Sequence, residues 1–321
     1  MAKKVKEAKV QLTWKEVKRQ KFLIISSALF VIYGFLFYYM PLGGWLMAFQ
    51  NYKPKDGLLG STFVGLAKFK FLFTDATFLK VMRNTLCMGV LNLVTSFILA
   101  IVFAILLNEI KCQWWKKSVQ TISYLPHFLS WIIVTGIVHD ALSTSGIVNE
   151  VLMKLHLISS EIAFFADQKY FWGIVAFSNL WKETGWNAII YLAAITSIDP
   201  CLYEAASIDG AGRWQKIKNI TLPGIKPTIM ILLLMNLGNV LNVGFEVPYL
   251  LGNGLVQNVS QTIDIFVLKW GISQNDYSLG TAAGIFKSVI SIALIVSLPF
   301  MIFLIVSPVQ MLPVLTFPLA S

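Results

Sequence analysis

The sequence predicts an all-α, polytopic membrane protein with six transmembrane helices, on three observations. Its 321 residues are 56% hydrophobic and 13% charged, with a mean hydropathy of +0.69. The apolar residues gather into runs long enough to cross a bilayer, which takes about 20 residues at a helical rise of about 1.5 Å. No soluble domain fits between the runs. The formal charge of +10 must be read by position, because membrane proteins keep Lys and Arg on the cytoplasmic side. Membrane lipid, and no nucleic acid, is the partner this composition implies. Cys87, Cys112 and Cys201 are odd in number and lack framework spacing, so no disulfide is expected.

Residues 1–21 form a basic segment with Lys3, Lys4, Lys6, Lys9, Lys15, Lys18, Arg19 and Lys21, and Trp14 as an interfacial anchor. The six-span domain then covers residues 22–306. Its first span, Phe22 to Leu46, is too long for a signal-peptide core and lacks a small-residue cleavage site. Pro41, Gly43 and Gly44 loosen its outer end. An external segment, Ala48 to Lys80, precedes a second span from Asn84 to Leu107. A short loop with Lys111, Lys116, Lys117 and Trp114-Trp115 reads as cytoplasmic. The third span, Ile122 to Leu142, contains Pro126, which predicts a local helix break. An external stretch, 143–170, leads into the fourth span, Phe171 to Ile198. A polar island at 199–223 is cytoplasmic both by charge and by span count. The fifth span, Thr228 to Pro248, follows a backbone break at Pro223 and Pro227; an external loop, 252–279, and a sixth span, Gly280 to Val306, follow. Both termini are then cytoplasmic. Residues 307–321 form an uncharged tail with three prolines and no assigned role.

The polar island has its own grammar. Asp199 suits an N-cap, Pro200 suits the first helical position, and Gly210 ends a short helix. A second short helix is expected beyond this elbow, with Trp214, Ile217 and Ile220 on one face and Arg213, Lys216 and Lys218 elsewhere. The pattern reads Glu204-Ala205-Ala206, three residues ending at Asp209, Gly210, nine residues, then Ile220-Thr221-Leu222-Pro223. Set between two apolar spans, it resembles the coupling loop of permease subunits of binding-protein-dependent ATP-binding-cassette importers. The resemblance covers most of the chain and implies the type I importer permease architecture. It also implies that the first loop helix docks on a cytoplasmic ATPase, with Glu204 and Gly210 at the motif positions. Further implied partners are two ATPase subunits that bind ATP and Mg, a second permease subunit in a heterodimer, and an external solute-binding protein. Two departures stand out: Ile217 where the family often has Phe, and the uncharged tail where such permeases usually close on a basic one.

Polar residues inside spans are costly to expose to lipid and therefore face a protein interior or a water-filled path. On the fourth span Asn179, Lys182, Glu183, Trp186 and Asn187 share an arc of about 140° at 100° per residue. On the fifth, Asn236, Asn239, Asn242 and Glu246 form a second stripe. Together the stripes are expected to line a translocation path, with amides for hydroxyl groups and aromatic rings for sugar faces. Singly, such residues also serve as helix glue, for example in a Lys182–Glu246 pair. Lys287 faces the same choice, and Gly280-Thr281-Ala282-Ala283-Gly284 reads as a close helix contact.

His127, His139 and His156 are scattered, so neither a metal constellation nor a nucleophile–base pair emerges. The G-x-x-x-x-G-K-[ST] phosphate loop is also missing. No cofactor and no catalytic residue is expected in the chain, and ATP hydrolysis falls to partner subunits. The alternatives are a polytopic membrane enzyme acting on a lipid-linked sugar and, third, an ion channel, which lacks a filter sequence. Trp181-Lys182-Glu183-Thr184-Gly185-Trp186-Asn187 and Tyr124-Leu125-Pro126-His127-Phe128 resemble the carbohydrate branch of the importers, including maltose-type permeases and those for oligosaccharides from complex polysaccharides such as alginate. Lys53, Lys55, Lys68, Lys70 and Lys80, against Asp56 and Asp75, suggest a basic mouth suited to an acidic oligosaccharide, or else contacts to lipid headgroups or the binding protein.

Overall fold

Helix α1 (Lys21–Gly34) runs on through a π turn (Phe35–Tyr39) into a 3-10 segment (Met40–Phe49). The computed structural model describes residues 18–310, so most of the basic N-terminal segment, Trp14 and the tail from 311 lie outside the described residues. Around Pro41, Gly43 and Gly44 the chain tightens instead of stopping. The apolar window of this 29-residue stretch has none of its residues buried against the rest of the chain. Phe22, Phe30 and Phe37 therefore point outward, as side chains do when lipid or another membrane chain covers them.

A two-stranded ribbon follows, β1 (Gln50–Asn51) antiparallel to β2 (Thr62–Phe63). Helix α2 (Ala67–Thr74) then leads to α3 (Ala76–Glu109), whose start is capped by Asp75 Oδ2 accepting the Phe78 N–H at 2.9 Å. Because this cap fixes the start, α3 begins eight residues earlier than the sequence suggests, and Lys80 sits on the helix. The third span is a bent pair, as Pro126 predicts. Helix α4 (Gln113–Tyr124), a 3-10 turn (Leu125–Phe128) and α5 (Trp131–Ala141) meet at 105°. Helix α6 (Ile147–Lys154) is fastened by fully buried Asn149, whose amide donates to the Ser143 and Ile162 carbonyls and accepts the Ile162 N–H.

Helix α7 (Gln168–Thr196) packs along α3. Their contacts advance together, from Arg83 over the Trp172 ring to Phe97 against Tyr191, so the two spans run in the same direction. Parallel neighbours require a return crossing between them, which α4 and α5 supply. Helix α8 (Pro200–Ile208) leaves α7 at 68°.

Four expectations are corrected beyond this point. The second short helix is the first turn of α9, one continuous helix over Arg213–Gly238. Pro223 and Pro227 do not break it. A π turn over Ile217–Thr221, closed by the Leu222 N–H on the Ile217 carbonyl, resets the hydrogen-bond ladder just before Pro223, which falls in the first turn of the α segment where its N–H is not needed. Pro227 then removes a single ladder bond. The fifth span stops at Gly238, ten residues before the expected Pro248, in a turn with Gly244 at φ +87°; α10 (Glu246–Leu251) is a separate helix. The stretch expected as an external loop, 252–279, is largely folded. Helix α11 (Ile263–Phe266) and its π extension (Val267–Ser273) bury Ile263 and Phe266 completely. Alternation is too short there to register as a helix in sequence. Helix α12 (Tyr277–Gln310) completes the described chain.

Among the described residues four helices are long and apolar enough to span, or six when each bent pair counts as one span. The fold is all-α, with one two-stranded ribbon among the described residues. Three packed clusters among the described residues hold it together. One joins Ala48, Leu72 and Phe78 to Ile263, Phe266 and Ala282, so both segments expected outside the membrane share a single core. A second centres on Met88, Phe171 and Val247, and a third on Ala104, Leu107, Tyr191 and Ile225 beside α8. Small residues set the closest approaches: a Cβ on Gly280 would collide with the Gly271 backbone, and one on Gly185 with the Ser123 carbonyl. Lys287 pairs with Asp264 at 2.6 Å and so ties α12 to α11.

Candidate functional site

Two places concentrate polar chemistry. The first is the elbow after α7. Asp199 Oδ1 accepts the Cys201 N–H at 2.9 Å, and Pro200 occupies the first turn of α8. At the other end Gly210 takes φ +76°, the Ala211 N–H reaches the Ala206 carbonyl and the Gly210 N–H reaches that of Ser207. That is a Schellman termination, which asks for a left-handed residue at Gly210. The elbow is tied down twice. The hydroxyls of Tyr203 and Thr221 meet at 2.9 Å, and Lys216 Nζ donates to Ser207 Oγ at 2.6 Å. Glu204, Ala205 and Asp209 are exposed, and Ala206 and Leu222 are half-buried. Pro223 is exposed. Ile208 and Trp214 are 88% and 73% exposed. A rigid short helix thus offers apolar side chains to something outside the chain.

The second place is a cavity of about 230 Å³ between α3, α7 and the end of α9. Asn179, Glu183 and Asn187 reach it from α7 at four-residue intervals; Asn236 reaches it from α9, and Asn239 and Asn242 from the turn after it. The amides share one arrangement. Asn179, Asn236 and Asn239 each donate Nδ2 to the carbonyl four residues earlier, and Asn242 donates to Asn239 Oδ1. A carbonyl partner can only accept, so these bonds fix the amide orientation and leave oxygens turned away from it. Asn92, from α3, has a buried Oδ1 with no hydrogen-bond partner. A ligand rich in hydroxyl donors suits such a lining.

The remaining residues of the two expected stripes lie elsewhere. Glu246 does not line the cavity, because the helix that would have carried it there ends at Gly238. Lys182 and Trp186 occupy the flank of α7 that faces the α4–α5 bend. Lys182 is buried, donates to the His127 carbonyl at 2.6 Å and lies 3.3 Å from Glu183 Oε1, so the pair with Glu246 is not formed. Trp186 stacks on the His127 ring at 4.3 Å between centroids. His127 Nδ1 lies 2.8 Å from Glu183 Oε2. Lys68 of the expected basic mouth is engaged by Asp276 at 3.0 Å, while Lys53, Lys55, Lys70 and Lys80 are exposed.

Sequence reasoning missed Asn92, Ser96 and Tyr191 on the cavity wall and His127 behind it. Asn92 and Ser96 were findable, since they are polar residues four apart inside an apolar run. His127 was not, because its partner is 56 residues away.

Residues 96–310 match the family described as binding-protein-dependent transport system inner membrane component. Over 291 residues the chain is 41% identical to the polygalacturonan/rhamnogalacturonan transport system permease protein YteP of Bacillus subtilis (strain 168), covering 90% of each protein. It is 40% identical to protein LplB of the same organism, covering 87% of each. Among solved structures it resembles a chain of a bacterial ABC transporter involved in the import of the acidic polysaccharide alginate, with 38% identity and a TM-score of 0.82. That match covers 90% of this chain and 97% of the other. A chain of a bacterial alginate ABC transporter in complex with an alginate pentasaccharide-bound periplasmic protein matches at a TM-score of 0.81 and 38% identity, covering 89% of this chain and 95% of the other. With an all-α spanning fold and a family match over more than half its length, the chain belongs to the binding-protein-dependent transport system inner membrane component family, with the type I ABC importer permease fold.

Proposed function

We propose that this permease forms part of the path for an oligosaccharide, an acidic one by preference, in an ATP-driven importer. The observation that carries this is the cavity in which amides from three elements each donate one N–H to a backbone carbonyl and keep an oxygen and a second N–H for a hydroxyl-rich ligand. Relatives whose names include polygalacturonan and alginate transport support the same cargo class. The exposed Lys53, Lys55, Lys70 and Lys80 favour the acidic member of that class, since a basic mouth raises the local concentration of anions.

In this reading residues 199–223 couple the path to the ATPase. Helix α8 presents Glu204, Ala205, Ala206 and Asp209, Gly210 sets the elbow, and Trp214, Leu222 and Pro223 complete the surface. Two partner ATPase subunits bind ATP and Mg, a second, different permease subunit completes the path, and an external binding protein delivers the sugar. Both termini and the α8 elbow are cytoplasmic. The test is uptake of labelled oligosaccharides by cells carrying the assembled transporter. Uronate and neutral chains of equal length should both compete for uptake, uronate better. Uptake of neither removes the cargo assignment.

A further inference from the structure

Glu183 is the only Asp, Glu, Lys or Arg lining the cavity among the described residues. A lone carboxylate on that wall would repel an anionic sugar, yet its side chain is 26% exposed and open to the cavity. Both of its oxygens are already engaged from behind: Oε1 lies 3.3 Å from Lys182 Nζ and Oε2 2.8 Å from His127 Nδ1. The ammonium itself is hidden, its side chain only 7% exposed. It is held by the His127 carbonyl at 2.6 Å and covered by the Trp131 ring at 5.1 Å. That carbonyl sits where the 3-10 turn of the α4–α5 bend ends and a helical partner is lacking.

Lys182 and Glu183 are neighbours on α7, so their ion pair joins no two helices, and desolvation offsets most of its attraction. What it does supply is a fixed field in a medium of low dielectric, where a charge a few ångströms away is felt strongly. We propose that Lys182 is a built-in counter-ion that cancels the charge of Glu183 and makes the cavity wall tolerant of an anionic sugar. Lys182 is thus a specificity-determining residue that does not itself touch cargo, and His127 is a positioning residue that aims the carboxylate. This deepens the transport reading above and rests on it.

The experiment measures uptake of a uronate oligosaccharide and of a neutral one of equal length by cells carrying the whole transporter, and takes their ratio. Using one binding protein throughout cancels its own preference. Lys182→Gln leaves Glu183 uncompensated, and the ratio should fall about tenfold, as expected for an unscreened charge close to the path. Glu183→Gln should raise the ratio above wild type. The double variant Lys182→Met/Glu183→Gln, which carries no charge at this position, should bring it back toward wild type. Membrane protein level is followed in parallel. Should Lys182→Gln fail to accumulate, the Glu183→Gln variant and the double variant decide the matter alone. Equal loss of both sugars in every variant, with the ratio unmoved, assigns the pair a structural role only and overturns the proposal. Wild-type uptake of neither sugar would instead overturn the transport reading, and this proposal with it.

Discussion

The α8 elbow and the cavity differ in how they are built. The elbow is local: cap, proline, termination and tie points all lie within residues 199–221. Its conformation follows from nearest neighbours, and its exposed Ile208 and Trp214 are set up for an outside surface. The cavity is assembled from α3, α7 and the end of α9, which are far apart in sequence, and depends on glycines that let backbones meet. Local order makes a rigid contact surface with little help from the rest of the fold, whereas a polar pocket walled by three distant segments requires the whole bundle to be in place.

The largest effects should come from the elbow. Gly210→Asp puts a charged side chain on a left-handed residue, and Glu204→Lys reverses charge on an exposed face. Each should abolish uptake while membrane insertion and protein level stay near normal on immunoblots of membranes. Retained uptake in both would remove the elbow's coupling role. Next, Gly185→Val forces a side chain onto the Ser123 carbonyl. It should lower both uptake and thermal stability in detergent, because overpacking typically costs about 1–3 kcal/mol. An unchanged melting temperature would show that α4 and α7 are less closely fitted than described.

Cavity variants sit in the middle. Asn179→Leu with Asn187→Leu removes two amides from one wall, and transport affinity should weaken by about thirtyfold on the basis of about 1 kcal/mol per net hydrogen bond. ATPase association should be kept, and its loss would blur the division between the two regions. The smallest effect belongs to Tyr203→Phe, which deletes the bond to Thr221 and should cost about 1 kcal/mol, read as a small drop in unfolding temperature.

Much of this contrast was legible in the sequence, and the reason is locality. Asp199, Pro200 and Gly210 declare their roles by position alone. Asn179, Glu183 and Asn187 follow from helical periodicity on one element. What failed needed tertiary information. The stripe through Glu246 presumed that helix α9 persists past Gly238, and nothing in Asn239-Val240-Leu241-Asn242 opposes helix strongly enough to reveal the turn. The prolines at 223 and 227 misled in the opposite sense, because the π turn that accommodates Pro223 has no sequence signature of its own. Helix α11 was hidden by its length, and the His127–Glu183 contact by its separation along the chain.

Orientation sharpens the comparison at low cost. Cys112 and Cys201 are both exposed, at the start of α4 and in the first turn of α8. In intact cells a membrane-impermeant thiol reagent should miss both, while cysteines introduced at Lys55 and Asn258 should react. Labelling of Cys201 from outside would invert the assignment of the elbow to the cytoplasm.

The division of labour between the two regions is tested most directly by the amount of ATPase that co-purifies with the permease, measured for wild type, Gly210→Asp and the Asn179→Leu/Asn187→Leu double variant at matched permease levels. A normal ATPase ratio in the cavity variant and a lost one in the elbow variant is the predicted result. A normal ratio in Gly210→Asp, or equal loss in both, would contradict it.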